Sequence, residues 1–328
     1  MQQRVIAGPQ GGITVSALAL GTMYFGTYTE EKVAFDLLDR FHAAGGTFLD
    51  SADCYNQWLG KGGESEEVIG RWVRSRGVRD EVVLATKLGA QTTDPEKPWP
   101  DFFEGLRGDT IRAAFEKSLR RFDVDHVDLL YAHWDDRSAP LEERVDALAE
   151  IAESGRARAL GASNIAAWRL EQARSLARAA GRPGFTAVQQ KYTYLWTRQL
   201  PRQTDQASDE LLDYAAENDI TVMAYTPLLK GAYQRSDVEL PLTYDHPSNA
   251  VRLAELKAVA AELGATPNQV VLAWLMGGEV PVIPIIGASN VAQLEESLGA
   301  VELTLDDETR ARLDAAGQGI DAGQRVSV

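Results

Sequence analysis

Six short apolar or β-branched runs of this chain end on side chains able to bind or move protons: Asp50, Lys87, His133, Ser163-Asn164, Gln189-Gln190 and Tyr225-Thr226. Singly, each has an ordinary structural explanation. Asp50 could cap the helix that follows, Lys87 could lay its stem along the surface, and His133 could be a hydrogen-bonded core residue. Together they resist that account, because a purely structural rim needs only glycine, serine and apolar side chains. Tyr55 lies one loop turn beyond Asp50 and can fold back over the same rim. A phenol with a reference pKa of about 10 serves as a general acid only where the site stabilises its anion. A buried Lys87 ammonium beside it would lower that value, each unit being worth about 1.4 kcal/mol. Asp50 would offset the cost of burying the ammonium and fix its direction. His133 could then hold a carbonyl oxygen through a ring N–H. The chemistry that suits these four residues is proton delivery to a positioned oxygen.

Such a rim needs a scaffold that brings many strand ends together. Strand patterns fall at Val15 to Leu20, Thr47 to Asp50, Val82 to Lys87, Val127 to His133, Ala157 to Ser163, Ala187 to Gln190, Thr221 to Tyr225 and Pro281 to Ile286. Helical patterns alternate with them: Glu30 to Ala44, Ser65 to Arg76, Asp109 to Arg121, Leu141 to Ser154, Ala166 to Ala179, Asp209 to Glu217, a pair over Asn249 to Gly277, and Val291 to Ala300. Eight strands with crossover helices and no break in composition predict a (β/α)8 TIM barrel, one α/β domain over residues 1–328. Arg4 to Thr14, with Gly8-Pro9 and Gly11-Gly12 between short β-like runs, predicts an N-terminal hairpin that could plug the barrel floor. The pair at Asn249 to Gly277 and a helix at Asp306 to Ala316 supply extra C-terminal helices, and Thr266-Pro267 reads as a cap followed by a helix start. Ser65, Glu66 and Glu67 read as a charged first helical turn. Ala90 to Gly108 and Lys191 to Ser208 are long loops, which in a compact domain usually carry function.

A formal charge of −15 opposes phosphate backbones and anionic lipid, so neither a nucleic-acid nor a membrane partner is expected. One cysteine, Cys54, excludes an intramolecular disulfide framework, and Met1-Gln2-Gln3-Arg4 leads into no apolar signal segment; a cytoplasmic location is expected. His42, His126, His133 and His246 are scattered without cysteine partners at ligand spacing, so no metal site is expected.

Five separate stretches resemble one family. Phe48-Leu49-Asp50-Ser51-Ala52-Asp53-Cys54-Tyr55 followed by Gly63-Glu64-Ser65-Glu66 is similar to the Asp-Thr-Ala-x-x-Tyr and Gly-x-x-Glu signature of the aldo-keto reductases. Leu84-Ala85-Thr86-Lys87 and Leu129-Leu130-Tyr131-Ala132-His133 follow in family order, and the resemblance runs from Val15 through Gly21-Thr22-Met23 to Glu295-Glu296-Ser297-Leu298. It implies reduction of an aldehyde or ketone, or the reverse alcohol oxidation, with NADPH as cofactor and NADH as the alternative. It also implies a catalytic tetrad of Asp50, Tyr55, Lys87 and His133, with Tyr55 as proton donor.

The same resemblance assigns cofactor contacts. Ser163, Asn164 and Gln189 would read the nicotinamide carboxamide, as their hydroxyl and amide groups allow. Tyr225 would stack on the ring. Thr226-Pro227-Leu228, Gly231 and Gly21-Thr22-Met23, with Asp50, would border the nicotinamide and pyrophosphate, and Ile286-Gly287-Ala288-Ser289 opens a helix whose N-terminus suits phosphate. Gln293, Glu296 and Ser297 would meet the adenosine. Two residues depart from many relatives: Ser289 stands where arginine or lysine pairs with a 2′-phosphate, and Ser297 where asparagine is common. Serine can hydrogen-bond phosphate but brings no bidentate charge. Tyr24, Trp58, Trp134 and Trp196, with Tyr55 and His133, are the candidate substrate pocket, ordinary packing being the competing explanation for the tryptophans and Tyr24.

Other enzyme classes lack their marks. No Gly-x-Gly-x-x-Gly follows an early strand, since Ser65 falls where the last glycine of the Gly60 to Gly63 cluster belongs. Tyr28 and Lys32 have a Tyr-x-x-x-Lys spacing but no glycine-rich turn before them. Neither a P-loop nor a Gly-x-Ser-x-Gly elbow appears. The alternative of a different class is a cofactor-binding regulatory or accessory subunit that keeps the barrel with little turnover; the intact tetrad speaks against it.

Overall fold

The computed structural model describes residues 1–94, 96–97, 101–198, 204–280 and 282–320. Ten strands are present in them: β1 (Gln3–Ile6), β2 (Ile13–Ser16), β3 (Ala19–Gly21), β4 (Phe48–Asp50), β5 (Val83–Leu88), β6 (Val127–Ala132), β7 (Ala157–Ser163), β8 (Ala187–Lys191), β9 (Thr221–Tyr225) and β10 (Val282–Ile286). β3 to β10 close into a parallel barrel in chain order, with β10 pairing β3 and β9. The helices are α1 (Glu31–Ala43), α2 (Glu64–Arg76), α3 (Gly108–Phe122), α4 (Leu141–Glu153), α5 (Ala167–Ala179), α6 (Asp209–Glu217), α7 (Pro247–Glu262), α8 (Pro267–Met276), α9 (Val291–Gly299) and α10 (Asp307–Ala315). The expected TIM barrel and hairpin are therefore observed. Pro281, expected as a strand start, and parts of both long loops and of the tail lie outside the described residues.

One expected strand divides in two. Val15 and Ser16 belong to β2, antiparallel to β1, whereas the barrel strand is β3. Ser16 makes the corner: its Oγ donates to the Leu18 carbonyl (2.6 Å) and accepts from the Thr47 and Phe48 amides (3.1 and 3.2 Å). Alternation alone runs straight through this hydroxyl, which is why the corner does not show in the pattern. Ile6, Ile13 and Val15 from the hairpin pack with Ala19, Phe48, Val83, Leu129, Ala159, Met223 and Ile283 inside the barrel, closing its floor.

Around this inner cluster, the outward faces of the strands pack against the helices, with Trp72, Phe115 and Phe122 among the largest side chains buried. α8 begins with a complete capping box, Thr266 Oγ1 accepting from the Gln269 amide and the Gln269 side chain accepting from the Thr266 amide. α7 and α10 are additions beside α8, tied by Arg312 to Glu255 and Glu262. No helix among the described residues is long and apolar enough to cross a membrane.

Candidate active site

Strand period two selects the residues of the barrel mouth. Phe48, Ala85, Tyr131, Ala187 and Met223 face inward, so two residues further on Asp50, Lys87, His133, Gln189 and Tyr225 face inward at the strand ends. Gly161, between Ala159 and Ser163, is held to glycine because a Cβ there would lie 2.4 Å from the Tyr131 ring. Gly21 plays the same part at the β3–β10 seam, where a Cβ would meet Ile285 at 2.9 Å.

Lys87 is fully buried, and its ammonium donates to Asp50 Oδ2 (2.7 Å), the Ser51 carbonyl (2.6 Å) and the Tyr55 hydroxyl (2.8 Å). These three acceptors use all three ammonium hydrogens. Since the Tyr55 oxygen accepts from lysine, the phenol's own hydrogen must point elsewhere. Asp50 Oδ1 accepts from Gln189 Nε2 (2.9 Å), and the Asp50 carbonyl accepts from the Thr22 amide and hydroxyl (3.1 and 3.0 Å). The Tyr55 and His133 rings meet edge to face with centroids 6.1 Å apart.

The electrostatics correct one expectation. Burial, followed by the Asp50 carboxylate, pushes the Tyr55 phenol well above its usual range, whereas Lys87 was expected to lower it. The main reason is burial of the phenol, and the Asp50 carboxylate, paired with Lys87 at 2.7 Å, adds to it. Tyr55 is thus a neutral phenol at physiological pH. Burial, then Lys87, lowers the His133 ring to about 3, so the imidazole is neutral as well.

The loop carrying Tyr55 is clamped by two residues that motif reading overlooks. Asn56, at φ 73°, donates from Nδ2 to the Phe25 carbonyl (2.8 Å) and accepts from Thr27. Gln57 donates to the Ala90 carbonyl (3.1 Å) and accepts from the Thr92 amide (2.6 Å). An amide residue tolerant of the left-handed region beside a candidate tyrosine is the one signal that could have drawn attention to Asn56. Glu66 departs from its reading as part of a charged first turn: it is buried, bonding Thr86 (2.6 Å) and Arg121 (3.0 Å). Ser65 instead joins three elements, its Oγ lying 2.7 Å from Thr22 Oγ1 and 2.9 Å from Ser51 Oγ.

The candidate cofactor residues divide. Asn164 Nδ2 donates to the His133 carbonyl (2.9 Å) and to Ser163 Oγ (3.1 Å), while its Oδ1 accepts from the Tyr225 hydroxyl (2.9 Å). Ser163, Asn164 and Tyr225 therefore form one cluster beside His133. Gln189 instead supports Asp50, and Thr22 is fully buried behind it; Gln190, on the outer face, donates to the Ile165 and Thr204 carbonyls (2.8 and 2.9 Å). Met23 is exposed at the mouth. Beyond β9 the turn contains Thr226, Leu229, Lys230 and Gly231 at φ 56°, 47°, 60° and 89°, with Pro227 and Leu228 between them. Non-glycine residues in this region cost roughly 1 kcal/mol or more each and gather at functional sites. Lys230 puts an exposed cation there that the motif comparison did not single out.

Beyond β10, Ile286 is buried, while Gly287 and Ser289 are exposed and Ala288 half-buried. The Ser289 amide donates to Gln293 Oε1 (2.8 Å). Glu296 accepts from Gln234 (2.8 Å) and Thr266 (2.7 Å), and Ser297 is buried in α9.

Of the candidate pocket aromatics, Trp134 donates to the Gly89 carbonyl (2.8 Å) and packs with Phe103, Ala52, Cys54, Ala90 and Tyr55. Phe103, on the loop after β5, is a wall residue that motifs do not reveal. Tyr24 and Trp58 meet edge to face at 6.3 Å on the exposed side of the mouth. Trp196 lies instead over Arg252, 4.4 Å from its guanidinium, and lines a cavity of about 740 Å³ with Tyr192, Tyr194 and Trp274. Among the described residues, Asp53, Cys54 and His133 bring possible metal-ligating atoms within 4.8 Å of one another, a grouping that sequence spacing hid.

A parallel barrel with a buried Asp–Lys–Tyr hydrogen-bond chain and a neutral histidine at its mouth points to a class of oxidoreductase. Residues 17–318 match the aldo/keto reductase family, and the chain belongs to that family. It is 34% identical over 308 residues to the oxidoreductase YrpG of Bacillus subtilis, covering 90% of each chain. It is 32% identical over 317 residues to the norsolorinic acid reductase stcV of Emericella nidulans, covering 92% of this chain and 78% of the relative. A crystal structure of the thermostable aldo-keto reductase Tm1743 with the inhibitor epalrestat superposes with a TM-score of 0.75 at 28% identity, over 96% of this chain and all (100%) of that one. Family membership makes the chain an oxidoreductase of a family that is typically NAD(P)H-dependent and that implies small carbonyl substrates.

Proposed function

We propose that this protein reduces an aldehyde or ketone to an alcohol with NADPH, Tyr55 giving the proton and His133 orienting the carbonyl. The observation that carries the reading is the Lys87 ammonium, whose three hydrogens are all engaged, one of them on the Tyr55 oxygen. The phenol is left with a single transferable proton and an oxygen already solvated by a cation for the moment that proton departs. Asp50 keeps the cation in place and Gln189 keeps Asp50 in place. The neutral His133 ring offers an N–H to the carbonyl oxygen without competing as an acid.

The donor set suits a nicotinamide nucleotide. Ser163, Asn164 and Tyr225 supply hydroxyl, amide and ring beside His133, and the left-handed turn with Lys230 and the segment from Gly287 to Ser289 supply backbone groups and a cation for phosphates. The nicotinamide, when bound, supplies the hydride. With neutral Ser289 at the candidate 2′-phosphate position, NADPH is preferred modestly and NADH is accepted. Ser289 and Gln293 stand exposed for the adenosine end, with Glu296 and Ser297 one turn further along α9.

The test is oxidation of NADPH with a panel of aldehydes, ketones and ketosugars, norsolorinic acid included. Turnover with at least one carbonyl, and a loss of about 100-fold or more in Tyr55→Phe with cofactor affinity retained, is the expected result. Tight cofactor binding without turnover on any carbonyl would turn the assignment towards a regulatory subunit.

A further inference from the structure

Cys54 is the chain's one cysteine and adjoins the proton donor, yet no step above uses it. Its Sγ lies 3.5 Å from His133 Nδ1, within reach of a sulfur hydrogen bond. The pair can be read as thiol to imidazole, or as thiolate to a protonated ring. Burial pushes the thiol well above its usual range, and burial with Lys87 holds the ring at about 3, so both groups are neutral. In a neutral pair the hydrogen between sulfur and Nδ1 has two possible owners. The two choices give opposite tautomers, because a neutral imidazole has one N–H: Nδ1 accepting the thiol hydrogen puts the ring hydrogen on Nε2, and Nδ1–H donating to sulfur leaves Nε2 bare. Among the described residues the Cys54 thiol is the one side chain within hydrogen-bond distance of the ring, with the Asp53 carboxyl within 4.8 Å of the pair.

We propose that Cys54 is a positioning residue: its S–H donates to His133 Nδ1, fixes the Nε2–H tautomer, and so presents an N–H rather than a lone pair to the carbonyl oxygen. The inference rests on the reading that His133 orients a carbonyl. With the wrong tautomer, an Nε2 lone pair would face the oxygen lone pairs and repel the substrate from the productive pose.

The experiment is nitrogen NMR of the full-length protein carrying 15N-histidine, with the His133 signals assigned by their loss in His133→Asn. Two variants separate donor from volume: Cys54→Ser keeps a donor, whereas Cys54→Val fills the space without one and leaves no room for a replacement water. The wild type and Cys54→Ser are expected to show Nε2 protonated and Nδ1 bare, and Cys54→Val a mixture of tautomers. Turnover of a carbonyl substrate should fall about 5-fold in Cys54→Val, the size of one hydrogen bond's net worth, with cofactor KM unchanged and turnover largely restored in Cys54→Ser. Nδ1–H in the wild type, an unchanged tautomer in Cys54→Val, or equal turnover losses in both variants would overturn the proposal. Absence of carbonyl reduction by the wild type would instead defeat the functional reading, and the tautomer measurement keeps the two failures apart.

Discussion

Acidification should weaken this fold through His133 in a way that a substitution can isolate. The ring is held neutral to about 3 in the folded protein against a reference of 6.5 when unfolded. Between those values the unfolded chain binds a proton that the folded chain refuses, so stability is present above pH 6.5 and is lost as pH falls towards 3. At pH 5 the difference amounts to about one and a half units, or about 2 kcal/mol at about 1.4 kcal/mol per unit. Because His133 is only half-buried, solvent screening reduces this towards about 1 kcal/mol. The assay is urea unfolding of the wild type and His133→Gln at pH 7.5 and about pH 5. Carboxylates elsewhere titrate in both proteins and cancel in the difference. The wild type should lose about 1 to 2 kcal/mol more than the variant between the two conditions. Parallel losses would refute the reasoning, because they would mean that the imidazole protonates in place at no cost.

Three further outcomes follow from the site. Asp50→Asn leaves the buried Lys87 ammonium with only neutral acceptors, costing about 3 kcal/mol and lowering Tm by about 4 to 5 °C in calorimetry; an unchanged Tm would contradict a structural need for the ion pair. Ser289→Arg should raise NADPH affinity about 10-fold in a fluorescence titration through a charge-assisted contact with the 2′-phosphate, leaving NADH affinity unchanged. Trp134→Ala removes a wall shared with Phe103 and should raise KM for bulky aromatic carbonyls about 10-fold while sparing kcat for a small aldehyde, which steady-state kinetics would separate.

Asp50, Lys87 and His133 were legible in the sequence because each closes an apolar strand, and strand period fixes which side they take. That same period distinguishes Gln189 from its neighbour Gln190: counting inward from Ala187 reaches Gln189, which donates to Asp50 at the mouth. The corner at Ser16 stayed hidden because its hydroxyl replaces backbone pairing without disturbing alternation. Phe103 and Trp196 show the limit for loops, since aromatic content says that a residue will pack but not against what; one faces the tetrad loop and the other Arg252. Glu66 reads as a solvated helix-start charge, and only the fold brings Arg121, 55 positions away, to cover it. The sign of the Tyr55 shift needed the depth at which the fold buries the phenol beside Asp50, which no motif carries.

The hairpin that fills the barrel floor also bears on how the proposed acid would be recharged. Ile6, Ile13 and Val15 fill the floor with apolar side chains, and Lys87, buried above them, holds one hydrogen on the Tyr55 oxygen that it could hand over while keeping Asp50 and Ser51. On the proposed chemistry, the proton that replaces the one spent, whether taken up by Tyr55 or by Lys87, would enter from the open mouth through which the alcohol would leave. Departure of product and rearming of the acid would then be successive uses of a single doorway, and a loop change that slows one would slow the other.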